Sequence, residues 1–184
     1  MDKIKVYHDV LWAKKQPFAD ERDKKKLLEL VAEQKKERKL DIFAFCVTDE
    51  ECHFLVSGDS ESDLSQAAVS VIDQFSTYYE TCHNGENMCL VRENRSQKLM
   101  DLEELIEDCC RTHKIATEQK LAEKPEDYWW SSLGEYRRSY PIWESVVNPR
   151  FVLDYLDGNR TRALGKFLKR SEEHTSELQS PCNI

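Results

Sequence analysis

Glu51 and His53 have the clearest chemical potential in this 184-residue chain. They stand two apart in Glu51-Cys52-His53-Phe54-Leu55-Val56, and in an extended strand alternate residues face the same side. A carboxylate and an imidazole side by side on a rigid support make half of a divalent-metal site, and the hard carboxylate oxygen suits Mg²⁺ or Mn²⁺. The plainer reading makes Glu51 the end of a solvated turn and His53 an ordinary strand histidine.

The elements that must hold this pair follow from periodicity. Ile42 to Val47 is almost wholly apolar, Thr48-Asp49-Glu50-Glu51 is a polar turn, and Cys52 to Val56 resumes the apolar run, so Asp41 to Val56 reads as a hairpin. Ile4 to Trp12 reads as an earlier strand. Between them, Asp20 or Asp23 caps a helix carrying Leu27, Leu28, Leu30 and Val31. Its lysines, with Lys35 and Lys36 foremost, are either a phosphate-facing strip or a solvated helix face.

A second helix, with Asp63 as its expected cap, repeats Leu64, Ala67, Val71, Phe75 and Tyr79 at helical spacing. Met88 to Arg92 reads as a short strand and Glu93 to Lys98 as a polar link. Asp101 and Glu104 form a capping box before a third helix with Leu105, Ile106, Cys109 and Cys110. Farther on, Tyr136-Arg137-Arg138 is a basic and aromatic patch suited to single-stranded nucleic acid. Asn148-Pro149 opens another helix, and Arg160 to Lys169 is a basic one.

Charged residues make up 34% and apolar ones 40%, the balance of an α+β domain with a real core. No apolar run nears the ~20 residues of a membrane span, and no signal-peptide core follows Met1, so a cytoplasmic protein is expected. Among the seven cysteines, Cys46, Cys52, Cys109 and Cys110 fall on apolar positions and read as buried thiols. The net charge of −8 runs against nucleic-acid binding, so any phosphate contact must come from local basic patches. The stretch Arg170 to Ser180, RSEEHTSELQS, looks like a translated sequencing adapter, which makes 170–184 a non-native disordered tail.

Several landmarks occur in a telling order: Tyr7-His8, Gln16-Pro17-Phe18, Asp20 to Asp23, the hairpin with His53, Phe75 and Tyr78-Tyr79, and His83-Asn84-Gly85. The most specific is Pro125-Glu126-Asp127-Tyr128-Trp129-Trp130-Ser131-Ser132. Over about residues 4 to 169 the chain resembles the HUH-type single-tyrosine transposases, especially the REP-associated tyrosine transposases of bacterial mobile elements. The resemblance implies a ferredoxin-like α+β fold, a central antiparallel sheet with helices packed on one face, and a C-terminal helical extension. It divides the chain into a domain at 1–133, an extension at 134–169 and the tail. It also implies single-stranded or hairpin DNA as partner, a homodimer, and the enzymology of DNA transposition.

In that family two histidines and a polar residue hold a divalent metal, and a tyrosine attacks the DNA phosphate. Here Glu51 stands for the first histidine, and the tyrosine's place falls on Cys110 or Arg111, by a one-residue choice of alignment. The family's Asn-Pro is replaced around Ile115-Ala116. The implication is a transposase-like DNA binder with impaired catalysis. The competing reading is a non-catalytic module for DNA or for a protein partner.

Overall fold

The hairpin read from alternation is present in the computed structural model, which describes residues 3–137 and 145–177. Strand β2 (Asp41–Val47) turns through Asp49 and Glu50 into β3 (Glu51–Ser57), and the two pair antiparallel. Thr48 closes the turn: its amide donates to the Glu51 carbonyl at 2.8 Å, while its hydroxyl accepts from the Glu51 amide at 3.1 Å. Lys24, from the basic run of the first helix, donates to Asp49 at 2.6 Å and is buried, so it belongs to the scaffold.

Strand β1 (Ile4–Trp12) lies between β3 and β4 (Val91–Met100), giving an all-antiparallel sheet of order β2-β3-β1-β4. Helix α1 (Glu21–Arg38) joins β1 to β2, and α2 (Glu61–Cys82) joins β3 to β4. This is the ferredoxin-like β-α-β-β-α-β order, as expected. Asp20 caps α1, while Ser60 rather than Asp63 caps α2, its hydroxyl accepting from the Asp63 amide. Residue Asp63 occupies the third helical position instead.

One sequence expectation about the sheet needs correction. The strand expected to end at Arg92 runs on to Met100, and Glu93 to Lys98 is strand rather than link. This is an edge strand, mostly exposed, so its polar side chains lack the apolar alternation that marks a buried strand. The two helices of the ferredoxin-like core, α1 and α2, share one face of the sheet as expected, and α3 (Leu102–Glu118) adds cover to the other. Phe54 and Val56 of β3 face α1 and α2, whereas His53 and Leu55 face α3 on the opposite side. Connection β4-α3 is an addition beyond the six-element core and folds back beneath the sheet.

The extension is continuous with the core. Helices α4 (Leu133–Arg137), α5 (Pro149–Leu156) and α6 (Arg160–Glu177) contribute Leu133, Tyr136, Val152, Leu153, Ala163 and Phe167 to the same apolar cluster as the sheet. The Tyr136 and Phe167 rings stack at 4.6 Å, with His113 of α3 edge-on to both. Helix α6 passes through Arg170 to Glu177, and Ser171 is buried.

The segment after the short 3₁₀ turn Pro125–Asp127 closes the outer edge of β2. The Val47 amide donates to Trp130 O at 2.9 Å, the Ser132 amide to Phe45 O at 3.0 Å, and the Tyr128 and Tyr136 hydroxyls to Val47 O and Phe43 O. An edge that would otherwise expose unpaired carbonyls is thereby satisfied. The Pro-Glu-Asp-Tyr-Trp-Trp-Ser-Ser landmark is therefore an edge clamp.

Candidate functional site

Between the sheet and α3 lies a crevice of about 370 Å³ whose floor is His8, Glu51 and His53. Register explains the floor. Val10 pairs with His53 and His8 with Leu55, so His8 and His53 are diagonal neighbours on one face of adjacent strands. The alternation that put Glu51 beside His53 holds: His53 Nε2 is 2.8 Å from Glu51 Oε1.

A β-bulge supplies the crevice's near wall. His8 pairs with Ser96 but Asp9 pairs with Asn94, which leaves Arg95 as the extra residue of β4. The bulge turns Arg95 and Ser96, adjacent in sequence, onto the same crevice, and Arg95 Nη2 donates to Glu51 Oε2 at 2.7 Å. Lys98 follows on the same side.

Helix α3 forms the roof, capped as expected by Asp101 and Glu104. Its crevice-facing residues are Asp108, Arg111, Thr112, Ile115 and Glu118, with Gln119 at the C-cap, and its other stripe, Leu105, Ile106, Cys109 and Cys110, is buried in the core. Cys110 and Arg111, the two candidates for the tyrosine's place, fall on different sides of this helix. Cys110 is fully buried, with its thiol pushed up by burial, and only Arg111 reaches the crevice, ion-paired to Asp108 at 2.6 Å. Thr112 is the one hydroxyl among the crevice-facing residues; it is buried and donates to its own helix at Asp108 O.

The floor's protonation follows from its contacts. Burial, reinforced by His53 and Arg95, holds His8 down to about 4. His53 is also pushed down by burial, against the pull of Glu51. Burial works to raise the Glu51 carboxyl, and His53 and Arg95 outweigh it, keeping the acid below its usual range. A neutral imidazole beside an ionised carboxylate satisfies both. The carboxylate only accepts, so Nε2 of His53 carries the proton and Nδ1 is left to accept from His8 Nε2 at 3.1 Å.

These donors do not converge on one ion. His8 meets His53 at Nδ1 and Glu51 meets it at Nε2, on opposite edges of the ring, so no single cation reaches all three through these atoms. Glu51 Oε2 is held by a guanidinium, and a second guanidinium lines the roof. Glu51 and His53, the residues expected to take Mg²⁺ or Mn²⁺, thus stand side by side, bonded to each other and to Arg95 and His8.

The other expected contacts lie apart from the crevice. Lys35 and Lys36 are on α1, across the sheet from α3; Lys35 donates to Ser145 O at 3.3 Å, and Lys36 is exposed. Tyr136 needs correction as a nucleic-acid contact. It is fully buried, its ring stacked on Phe167 and its hydroxyl bound to Phe43 O. Arg137 is exposed and faces the Pro125–Asp127 turn, and Arg138 lies outside the described residues. Tyr78, one of the aromatic landmarks, donates to Asp23 at 3.0 Å on the α1–α2 side, away from the crevice. Sequence reasoning missed His8, Arg95 and Asp108 as site residues. His8 had a usable signal, a histidine on a strand destined to neighbour β3, whereas the bulge that delivers Arg95 leaves no mark in composition.

No family model matches the chain, and no curated protein matches it. Among solved structures, a designed protein with a ferredoxin fold aligns weakly, with a TM-score of 0.38 and 18% identity over 52% of this chain and 87% of that one. A REP-associated tyrosine transposase bound to a REP hairpin aligns over 78% of this chain and 86% of that chain, with a TM-score of 0.55 and 14% identity. That likeness is one of fold, and it leaves the function to be argued from the crevice.

Proposed function

We propose that the protein binds hairpin or single-stranded DNA at the crevice under α3 and does not cleave it through a phosphotyrosine. The observation that carries this reading is the crevice-facing side of α3 with its C-cap: Asp108, Arg111, Thr112, Ile115, Glu118 and Gln119 overlie the His8–His53 floor, and none is a tyrosine. A guanidinium has no lone pair to offer a phosphorus atom, and Thr112 is turned into its own helix. What remains is a cleft with Arg95, Lys98 and Arg111 at its walls, in a fold like that of a hairpin-bound transposase.

The test is binding of a labelled hairpin oligonucleotide across a salt series, followed by a denaturing gel after incubation with Mn²⁺. Hairpin binding that weakens with salt and leaves no covalent adduct is expected. An adduct that survives denaturation overturns the non-catalytic part. The net charge of −8 favours a second reading, a protein-interaction module, and the absence of any salt-sensitive DNA binding would select it.

A further inference from the structure

We propose that the crevice takes a phosphate oxyanion directly on the guanidinium groups of Arg95 and Arg111, with no divalent cation between protein and phosphate. The inference rests on the DNA-binding reading for its natural ligand, a backbone phosphodiester, and on the crevice alone for its chemistry.

The bulge at Arg95 is the first support. A regular β4 would pair each of its residues with β1; the extra, unpaired Arg95 places one more cation at the crevice wall, where its Nη2 is anchored on Glu51. Anchoring uses one of five guanidinium N–H groups, Nε faces Glu93 at 3.7 Å, and the side chain keeps 39% of its surface exposed, so donors remain for a ligand. Arg111 repeats the arrangement from the roof, anchored on Asp108 and 63% exposed. Two planar forks, each oriented by a carboxylate, suit the bidentate geometry of a phosphate.

The second support is what the floor cannot do. A metal would need a lone pair from His53, whose Nδ1 is committed to His8 and whose Nε2–H is committed to Glu51. It would also need Glu51 released from Arg95, and would then sit beside the freed guanidinium. Of the carboxylates facing the crevice, Glu51 and Asp108 are each paired at 2.7 and 2.6 Å, and Glu118 lies at its rim. Lys98 stands 3.8 Å from Asp108 and adds a third cation to the wall. An anion thus meets two oriented guanidinium groups, whereas a cation at Glu51 or Asp108 would have to displace one.

The experiment measures hairpin binding in excess EDTA and in millimolar Mn²⁺ for the wild type, Arg95→Gln and Arg111→Gln, with circular dichroism to show that the variants fold. Expected are equal affinities in EDTA and Mn²⁺, and a loss of roughly tenfold in each variant. The variants also lower the salt slope by about 1. Affinity that collapses in EDTA, or paramagnetic broadening of the His8 and His53 ring signals at one Mn²⁺ per protein, overturns the inference. Should the hairpin not bind under any condition, the DNA reading fails while the anion site is still decided. Inorganic phosphate titrated against the Arg95 and Arg111 Nε–H resonances moves them if the site exists, and unmoved resonances overturn it.

Discussion

Two carboxylate–arginine pairs sit on opposite faces of this sheet, and they do different work. On the α1–α2 face, Asp9 is joined to Arg92, whose Nε and Nη2 both donate to Asp9 Oδ2 at 2.9 and 2.7 Å, while Nη1 reaches Ser65 of α2. Asp9 is buried and its Oδ1 has no partner among the described residues. On the α3 face, Glu51 is joined to Arg95 by a bond of equal length, at the mouth of an open crevice. The chemistry is the same and the solvent is different. Burial raises the Asp9 carboxyl despite Arg92 beside it, whereas the neighbours of Glu51 outweigh burial and lower it. A shut pair fixes how α2 sits on the sheet; an open one leaves donors to spare.

The sharpest way to break the comparison is to remove one arginine at a time. Arg92→Leu strands a carboxylate under α2, and a loss of about 3 kcal/mol in unfolding free energy is expected by urea titration. The double change Asp9→Leu with Arg92→Leu should recover most of that loss, since apolar residues of similar volume carry no desolvation penalty. If the double variant is no better than the single one, the pair is not the isolated unit drawn here.

His113 extends the contrast to histidines. It is fully buried on the core side of α3, with Nε2 2.6 Å from Ser132 Oγ and Nδ1 without a partner among the described residues, and burial alone holds it down to about 3. Its folded pKa lies below the ordinary value, so the unfolded chain binds the extra proton. Stability from this group is complete above about pH 6.5 and is lost as the pH falls toward 3, with a slope of at most about 1.4 kcal/mol per pH unit. By pH 5 the loss reaches roughly 2 kcal/mol. His8 titrates in the same direction over a shorter range, so the comparison is with His113→Gln, whose pH profile should be flatter by that amount. An unchanged profile would refute the assignment.

How much of this was legible follows the same divide between buried and open. The hairpin, the Asp101–Glu104 cap and the core stripe of α3 all announce themselves, because burial imposes periodicity and caps have fixed spacing. The placement of Glu51 beside His53 needed only the two-residue period of a strand. Strand β4 stayed hidden because an exposed edge asks little of its side chains, and with it went Arg95, whose position depends on one unpaired residue. Tyr136 misled for the opposite reason. Its neighbour Arg137 is exposed, yet the tyrosine itself lies on the inner side of α4, a distinction that a five-residue helix is too short to declare.

The edge clamp offers a smaller test. Tyr136→Phe removes a hydroxyl from Phe43 O in the core, and a loss of about 1 kcal/mol is expected, read by urea titration, with no change in DNA binding. A larger effect on DNA affinity than on stability would return the residue to the role that its burial denies it.

Arg95→Gln should be the gentlest of these changes to the fold and the most damaging to the crevice. Its ion pair is half open to solvent, and such pairs contribute about 0.2 to 1 kcal/mol, so urea titration should place the variant within that range of the wild type. Glu51 keeps its bond to His53, and the bulge is a backbone feature held by β1 on either side of it. Arg92→Leu would show the reverse, a weakened fold around an intact crevice, its hairpin affinity unchanged in the folded fraction. If Arg95→Gln instead costs as much stability as Arg92→Leu, the two pairs are alike after all, and the open one holds the sheet together and not a ligand.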